Sequence, residues 1–234
     1  MTDFTEIPWD SITTVGQKSM LDDNVFNISW ILGRFCNYKC SYCWPYANSQ
    51  TPDHQDLSIY IDTIREIKRQ AGVNGFNKFH WSFSGGEPTA YKHLVELMDE
   101  IKTDSVHLTT NLSPGLKWWQ KWLVKTNDCS RRSITASYHA EFADESEFAE
   151  KCVYLINNGV FVTVNQVMVP GQFHELYNRC VRLSDLGINV TLKPQSNESA
   201  NSIVPGYEED MIEMMQKGFP QQINGEELLN VKLI

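Results

Sequence analysis

The chain has no apolar run approaching the roughly 18 residues needed to cross a bilayer. Its first twenty residues, MTDFTEIPWDSITTVGQKSM, place acids early and contain no continuous apolar segment, so they do not read as a signal peptide. Basic charge is also scarce. Against 29 Asp and Glu there are 20 Lys and Arg, for a formal net charge of -9 and a pI near 5.1. That balance argues against a nucleic-acid binder or a membrane-surface binder. There is no internal repeat and no low-complexity segment. With no export signal and no span, a cytoplasmic location is expected, where six cysteines point to metal or redox chemistry rather than disulfides.

What is present is an ordinary globular composition, 41% hydrophobic and 21% charged over 234 residues, enough for one large domain or two small ones. After a polar arm over residues 1–24, strand-like apolar runs alternate with amphipathic helical runs. The expected strands are Val25–Leu32, Lys78–Ser84, Ser105–Asn111, Ser133–Tyr138, Val160–Val169 and Ile188–Pro194. Between them, helical faces are spelled by Leu57, Tyr60, Ile61, Ile64 and Ile67, by Leu94, Leu97, Met98 and Ile101, and by Trp118, Trp119, Trp122 and Leu123. Two more follow at Phe148, Cys152, Leu155 and Ile156, and at Leu176, Cys180, Leu183 and Leu186, with a weaker helix near Glu208–Lys217. Gly159 and Gly187 are placed to close two of these helices. Strict βα alternation implies a parallel sheet covered by helices. It is wound either into an open sheet or into a partial barrel, and in both the active site lies in the loops at the carboxyl ends of the strands.

The motifs fall in those loops. After the first strand comes Cys36-Asn-Tyr-Lys-Cys40-Ser-Tyr-Cys43. Three thiols this close on one polar loop can converge on one metal centre, and thiolates are the ligands of iron–sulfur clusters. Structural zinc needs four protein ligands; the nearest further candidates are His54 and the distant Cys129, and there is no second CxxC pair. A c-type haem site needs His where Trp44 stands. Three ligands and an open fourth position suit a [4Fe–4S] cluster with one accessible iron. After the second strand, Ser84-Gly85-Gly86-Glu87-Pro88 combines glycines that admit close backbone approach with a carboxylate able to accept hydrogen bonds from an ammonium group.

Together these motifs resemble the radical S-adenosylmethionine (SAM) superfamily, whose CxxxCxΦC pattern is matched by Cys36, Cys40, aromatic Tyr42 and Cys43, and whose GGEP motif is matched by Gly85–Pro88. The resemblance covers about Val25 to Lys217 and favours a partial (β/α)6 barrel over residues 25–218. It implies two cofactors, a [4Fe–4S] cluster held by Cys36, Cys40 and Cys43, and SAM bound at the open iron. Reduction of the cluster then cleaves SAM to methionine and a 5′-deoxyadenosyl radical that abstracts a substrate hydrogen. It implies that Tyr42 lies beside the adenine and that Gly85, Gly86 and Glu87 meet the SAM amino group. Asn111, Ser137 and Asn165, at or near the ends of strands three, four and five, are implied as further SAM contacts. Flavodoxin or ferredoxin is the implied electron donor, with Arg34 and Lys39 as candidate docking charges. Ser137–Glu141 and Val167–Pro170 resemble barrels that carry auxiliary clusters in a C-terminal SPASM or twitch domain, which points to a peptide or protein side chain as substrate. A glycyl-radical-enzyme activase and a deazapurine-type synthase with a small-molecule substrate are alternatives within the class; a non-catalytic zinc or Fe–S protein is the alternative outside it. Residues 219–234 carry Asn224-Gly225 between two short apolar runs, a hairpin signal, and are expected to open a truncated auxiliary domain. Cys152 and Cys180 read as core, and His80 and His107 as structural or exposed.

Overall fold

The computed structural model describes residues 24–43, 49–199, 201–223 and 226–228. The expected arm up to residue 23, the Asn224-Gly225 turn, and Leu229, Val231 and Leu233 of the tail lie outside these residues. The strands are β1 (Val25–Ile31), β2 (Lys78–Ser84), β3 (Ser105–Thr110), β4 (Arg131–Tyr138), β5 (Phe161–Met168) and β6 (Asn189–Pro194). The helices are α1 (Leu57–Val73), α2 (Leu94–Leu97), α3 (Leu116–Lys125), α4 (Glu145–Asn157), α5 (Phe173–Asp185) and α6 (Glu209–Lys217). A short antiparallel pair follows, β7 (Gln221–Ile223) with β8 (Glu226–Leu228), Ile223 aligned with Glu226.

The strand order decides between the two windings left open by the sequence. A doubly wound sheet reverses its order at a switch point. Here all six strands are parallel and run β1-β2-β3-β4-β5-β6 without reversal. Right-handed crossovers then put every helix on one face. A sheet covered on one side curls, and the result is a partial (β/α)6 barrel with β1 and β6 as its edges.

Alternation along each strand separates two environments. Phe79, Trp81 and Phe83 of β2, with Val106 and Leu108 of β3 and Ile134 and Ala136 of β4, are buried toward the helices. Each large apolar side chain among them contributes roughly 1.5–3 kcal/mol of transfer free energy. They meet Tyr60, Ile64 and Ala71 of α1 and Trp119 and Trp122 of α3, all fully or nearly fully buried. Gly159 and Gly187 close α4 and α5 at φ 75 and 77, and the next residues, Val160 and Ile188, donate back to Leu155 and Leu183. This is the glycine-closed helix end expected from the sequence. One helix departs from expectation. Leu94, Leu97, Met98 and Ile101 are buried as a face, but α2 is a single turn that tightens into a 3-10 turn over Met98–Glu100. Tightening of this kind is common at a helix's carboxyl end, and the apolar face stays buried through it.

The opposite face of the sheet, lining the hollow, is polar. Asn27, His80, Ser105 and Arg131 align across β1 to β4; the next row runs through Ser29, Ser82, His107 and Ser133. Closed barrels fill this space with branched apolar layers; most of the polar residues here are half-buried instead. Among the described residues no helix is long and apolar enough to cross a membrane.

Candidate functional site

The cysteine loop leaves β1 at the carboxyl end of the sheet and is held from four directions. Asp53 accepts from the Arg34 N–H through both oxygens (2.9 and 2.8 Å) and from the Phe35 N–H at 3.0 Å. Desolvation pushes the Asp53 carboxyl up, but these amides, with His54 and its own N–H, together hold it below its usual range. Ser49 N donates to Arg34 O at 2.7 Å and Cys36 N to Ser49 O at 3.0 Å, which pairs the start of the loop with its return. From β2, Gly86 N donates to Gly33 O at 3.0 Å and Glu87 N to Phe35 O at 2.8 Å. From β3, Asn111 Nδ2 donates to Asn37 Oδ1 at 3.0 Å.

The fourth hold is the β4–α4 loop. Ser41 donates to Glu141 through its N–H at 2.8 Å and through its hydroxyl. Tyr42 OH meets His139 Nδ1 at 3.0 Å, with the two rings stacked at 5.9 Å. Tyr38 stacks on Phe142 at 5.0 Å and 16°. Burial holds His139 down at about 4, against the opposing pull of Glu141, so the imidazole facing Tyr42 is neutral. Burial also raises the Tyr42 phenol, with Cys40 and Glu141 adding to it.

The Gly85-Gly86-Glu87 turn is shaped by the chain itself. Gly85 adopts φ +134, and a Cβ there would lie 2.2 Å from Gly33 O. A Cβ on Gly86 would lie 2.2 Å from Arg34 O and 2.3 Å from Phe35 O. Both glycines therefore let the cysteine loop cross β2's end in backbone contact. Glu87 is 2% exposed, and its carboxylate accepts from Thr89 N (2.9 Å), Thr89 Oγ1 (2.6 Å), Thr110 Oγ1 (2.7 Å) and Asn111 N (2.6 Å). Burial raises its pKa while these four bonds favour the charged form. Its contacts thus tie β2's end to β3's end.

Among the remaining candidates, Ser137 and Asn165 sit side by side on the hollow face as aligned partners of β4 and β5, near the strands' carboxyl ends. Cys152 and Cys180 are fully buried on helix faces, and Cys129 packs beside Ile101 O, so none joins the loop. Burial raises Cys36 and Cys40; for Cys40, pushed up to about 12, the next causes are Cys43, Glu141 and Cys36. For Cys36, Glu87 and Cys43 add to the rise. Among the described residues no group of three His, Cys, Asp or Glu side chains already stands as a metal-ready set. Protonated thiols have nothing to draw them together, whereas a cation favours their thiolates and releases the protons.

A family model for the radical SAM superfamily matches residues 30–123, a stretch that holds all three cysteines, the Gly85–Pro88 turn and Asn111. Over that stretch the chain is similar to the radical SAM superfamily. GTP 3′,8-cyclase of Desulforamulus reducens is 32% identical over 100 residues, covering 39% of this chain and 30% of the relative. GTP 3′,8-cyclase of Pectobacterium atrosepticum is 29% identical over 115 residues, covering 45% and 34%. The match thus spans about a third of the length of these curated relatives. A solved structure of anSMEcpe with bound AdoMet aligns with a TM-score of 0.51 at 18% identity, over 73% of this chain and 52% of that one, and shows the shared fold. The radical SAM superfamily uses a [4Fe–4S] cluster and SAM, and this domain's donor set fits the cluster, with three thiols on one braced loop at the barrel mouth.

Sequence reasoning missed the braces. Asp53 has no motif around it, and its role depends on a return of the chain that no local pattern announces. Glu141 and His139 stood in a stretch singled out only as a loose likeness.

Proposed function

We propose that this domain performs radical SAM chemistry, with Cys36, Cys40 and Cys43 as the cluster ligands and SAM bound in the mouth among Tyr42, Gly85, Gly86, Glu87, Asn111, Ser137 and Asn165. The observation that carries this reading is the cysteine loop at the carboxyl end of β1, braced by the ends of β2, β3 and β4. When bound, the reduced cluster supplies the electron that splits SAM and yields the hydrogen-abstracting radical. The protein's own part is positional. Tyr42, fixed by His139, offers an aromatic face at the mouth, and Ser137 and Asn165 offer hydrogen-bonding groups from adjacent strands. Glu87 acts through the backbone it holds, keeping the Asn111 and Gly86 segments in register.

The test is anaerobic reconstitution with iron and sulfide, then quantification of 5′-deoxyadenosine after reduction. Cys40→Ala should abolish its formation while far-UV circular dichroism stays native. Full product from Cys40→Ala would sink the assignment. For the substrate, the likeness to SPASM-bearing barrels favours a peptide or protein side chain. The curated relatives' name favours a nucleotide instead. Incubating the reconstituted protein with GTP, and watching for its consumption, separates the two.

A further inference from the structure

The six strands of the barrel contain no Asp or Glu at any position, in a chain that has 29 of them. The hollow face is therefore free of the carboxylates that dominate the chain's surface. Near the amino-terminal ends of the strands, its floor is a hydrogen-bonded set of neutral groups beside Arg131. His80 Nδ1 pairs with Ser105 Oγ at 2.8 Å. His107 Nδ1 pairs with Ser133 Oγ at 2.8 Å, and its Nε2 with Thr135 Oγ1 at 3.2 Å. His80 Nε2 has no hydrogen-bonding partner among the described residues. Burial, helped by Arg131, holds both imidazoles below their ordinary pKa, His107 at about 4, so near neutrality they present hydrogen-bonding nitrogens and no charge.

Arg131 supplies the charge. Its guanidinium lies over the Phe161 ring at 5.9 Å, and among the described residues it makes no ion pair with a carboxylate. An arginine that lines a polar hollow, pairs with no carboxylate of the described residues and is flanked by imidazole and hydroxyl groups is suited to an anion. A purely structural floor would be packed with branched apolar side chains, as in closed barrels. From His80 to Ser84, at the top of β2, is four residues, roughly 13 Å of strand.

We propose that this floor is a subsite for an anionic group, a carboxylate or a phosphate, on the far end of the molecule that the domain acts on. The proposal rests on the reading above, in that the reacting end of that molecule would lie at the barrel mouth. It restricts the substrate to molecules long enough to span the hollow and negatively charged at the distal end.

The test uses the full chain without added metal, because the floor is built wholly from strands. With histidine nitrogens labelled with nitrogen-15, glutarate and inorganic phosphate are titrated separately while the ring signals are followed. One or both anions should saturably shift His80 and His107 and leave the exposed His174 unmoved. A response to glutarate alone identifies a carboxylate subsite, and to phosphate alone a phosphate subsite. Arg131→Gln should weaken the binding by about tenfold or more, as expected for loss of a charge-assisted contact, and Arg69→Gln on exposed α1 should not. Arg131→Lys, which keeps the charge and loses the fork, should fall between them and serves if Arg131→Gln does not fold. No saturable shift of His80 and His107 in the wild type, or undiminished binding in the folded Arg131 variants, overturns the proposal. SAM cleavage by the reconstituted wild type is scored separately, so failure of the subsite and failure of the radical SAM reading are distinguishable.

Discussion

Replacing Glu87 with Ala would leave Thr89, Thr110 and the Asn111 amide as buried donors with their shared acceptor gone. Stranding that many buried groups should cost on the order of 3–5 kcal/mol. Glu87→Gln keeps one carbonyl oxygen for the threonines but turns an amide donor toward an N–H, and should fall between Ala and wild type. Urea unfolding without SAM measures this; wild-type stability in Glu87→Ala would assign the residue to ligand contact alone. Gly86→Ala belongs with it, since its Cβ meets two carbonyl oxygens of the chain, so loss of SAM affinity there should be accompanied by loss of stability. The GGEP pattern was legible in the sequence. Its physical reason was not, because the atoms that forbid a side chain at Gly86 belong to Arg34 and Phe35, about fifty positions earlier.

At the scale of elements, the β4–α4 loop acts on the cysteine loop as a clasp, through Glu141, His139 and Phe142. Glu141→Ala should leave the fold intact, because the residue is exposed and bonds only to Ser41 among the contacts described. It should speed the release of iron from the reconstituted protein to a chelator by several-fold, a loss of about 1 kcal/mol in loop fixation. A wild-type release rate would deny the clasp. The strands themselves were almost fully readable, since apolar residues toward the helices alternate with polar ones toward the hollow, and observed bounds fall within two residues of those expected. The braces joining loops were not readable, because hydrogen bonds between residues a hundred positions apart leave no periodic trace.

For the whole molecule, the buried imidazoles set an acid limit. His107 faces His80 from β2 and Arg131 on its other side, and burial, the leading cause, with both neighbours holds its pKa at about 4. Between about pH 6.5, where an unfolded histidine takes up its proton, and pH 4, the unfolded chain binds a proton that the folded one refuses. Stability should therefore fall as pH drops through that window, and this contribution should level off below it. His107→Gln should flatten part of the slope in denaturant midpoints taken from pH 7 to 4.5; an unchanged slope would place the acid sensitivity elsewhere. Electron delivery also belongs to this scale. Arg34 and Lys39 are exposed on the cysteine loop of an acidic chain. Reversing both charges should slow reduction by flavodoxin, most visibly at low salt, and leave reduction by dithionite unchanged. Equal slowing with both reductants would remove the docking role.

The unreversed strand order also has a consequence in time. Each strand pairs only with its immediate neighbours in the chain, so during synthesis the sheet can grow one unit at a time as the polypeptide emerges. The cysteine loop comes after the first strand; Asp53 and Ser49 hold its start locally, but its other braces arrive with the second, third and fourth units, the last of them a hundred residues later at Glu141. On the ribosome the thiols are thus exposed long before the full set of braces holds them. Metal loading of the nascent chain would meet a slack loop; loading that depends on the clasp must wait until β4 has left the exit tunnel.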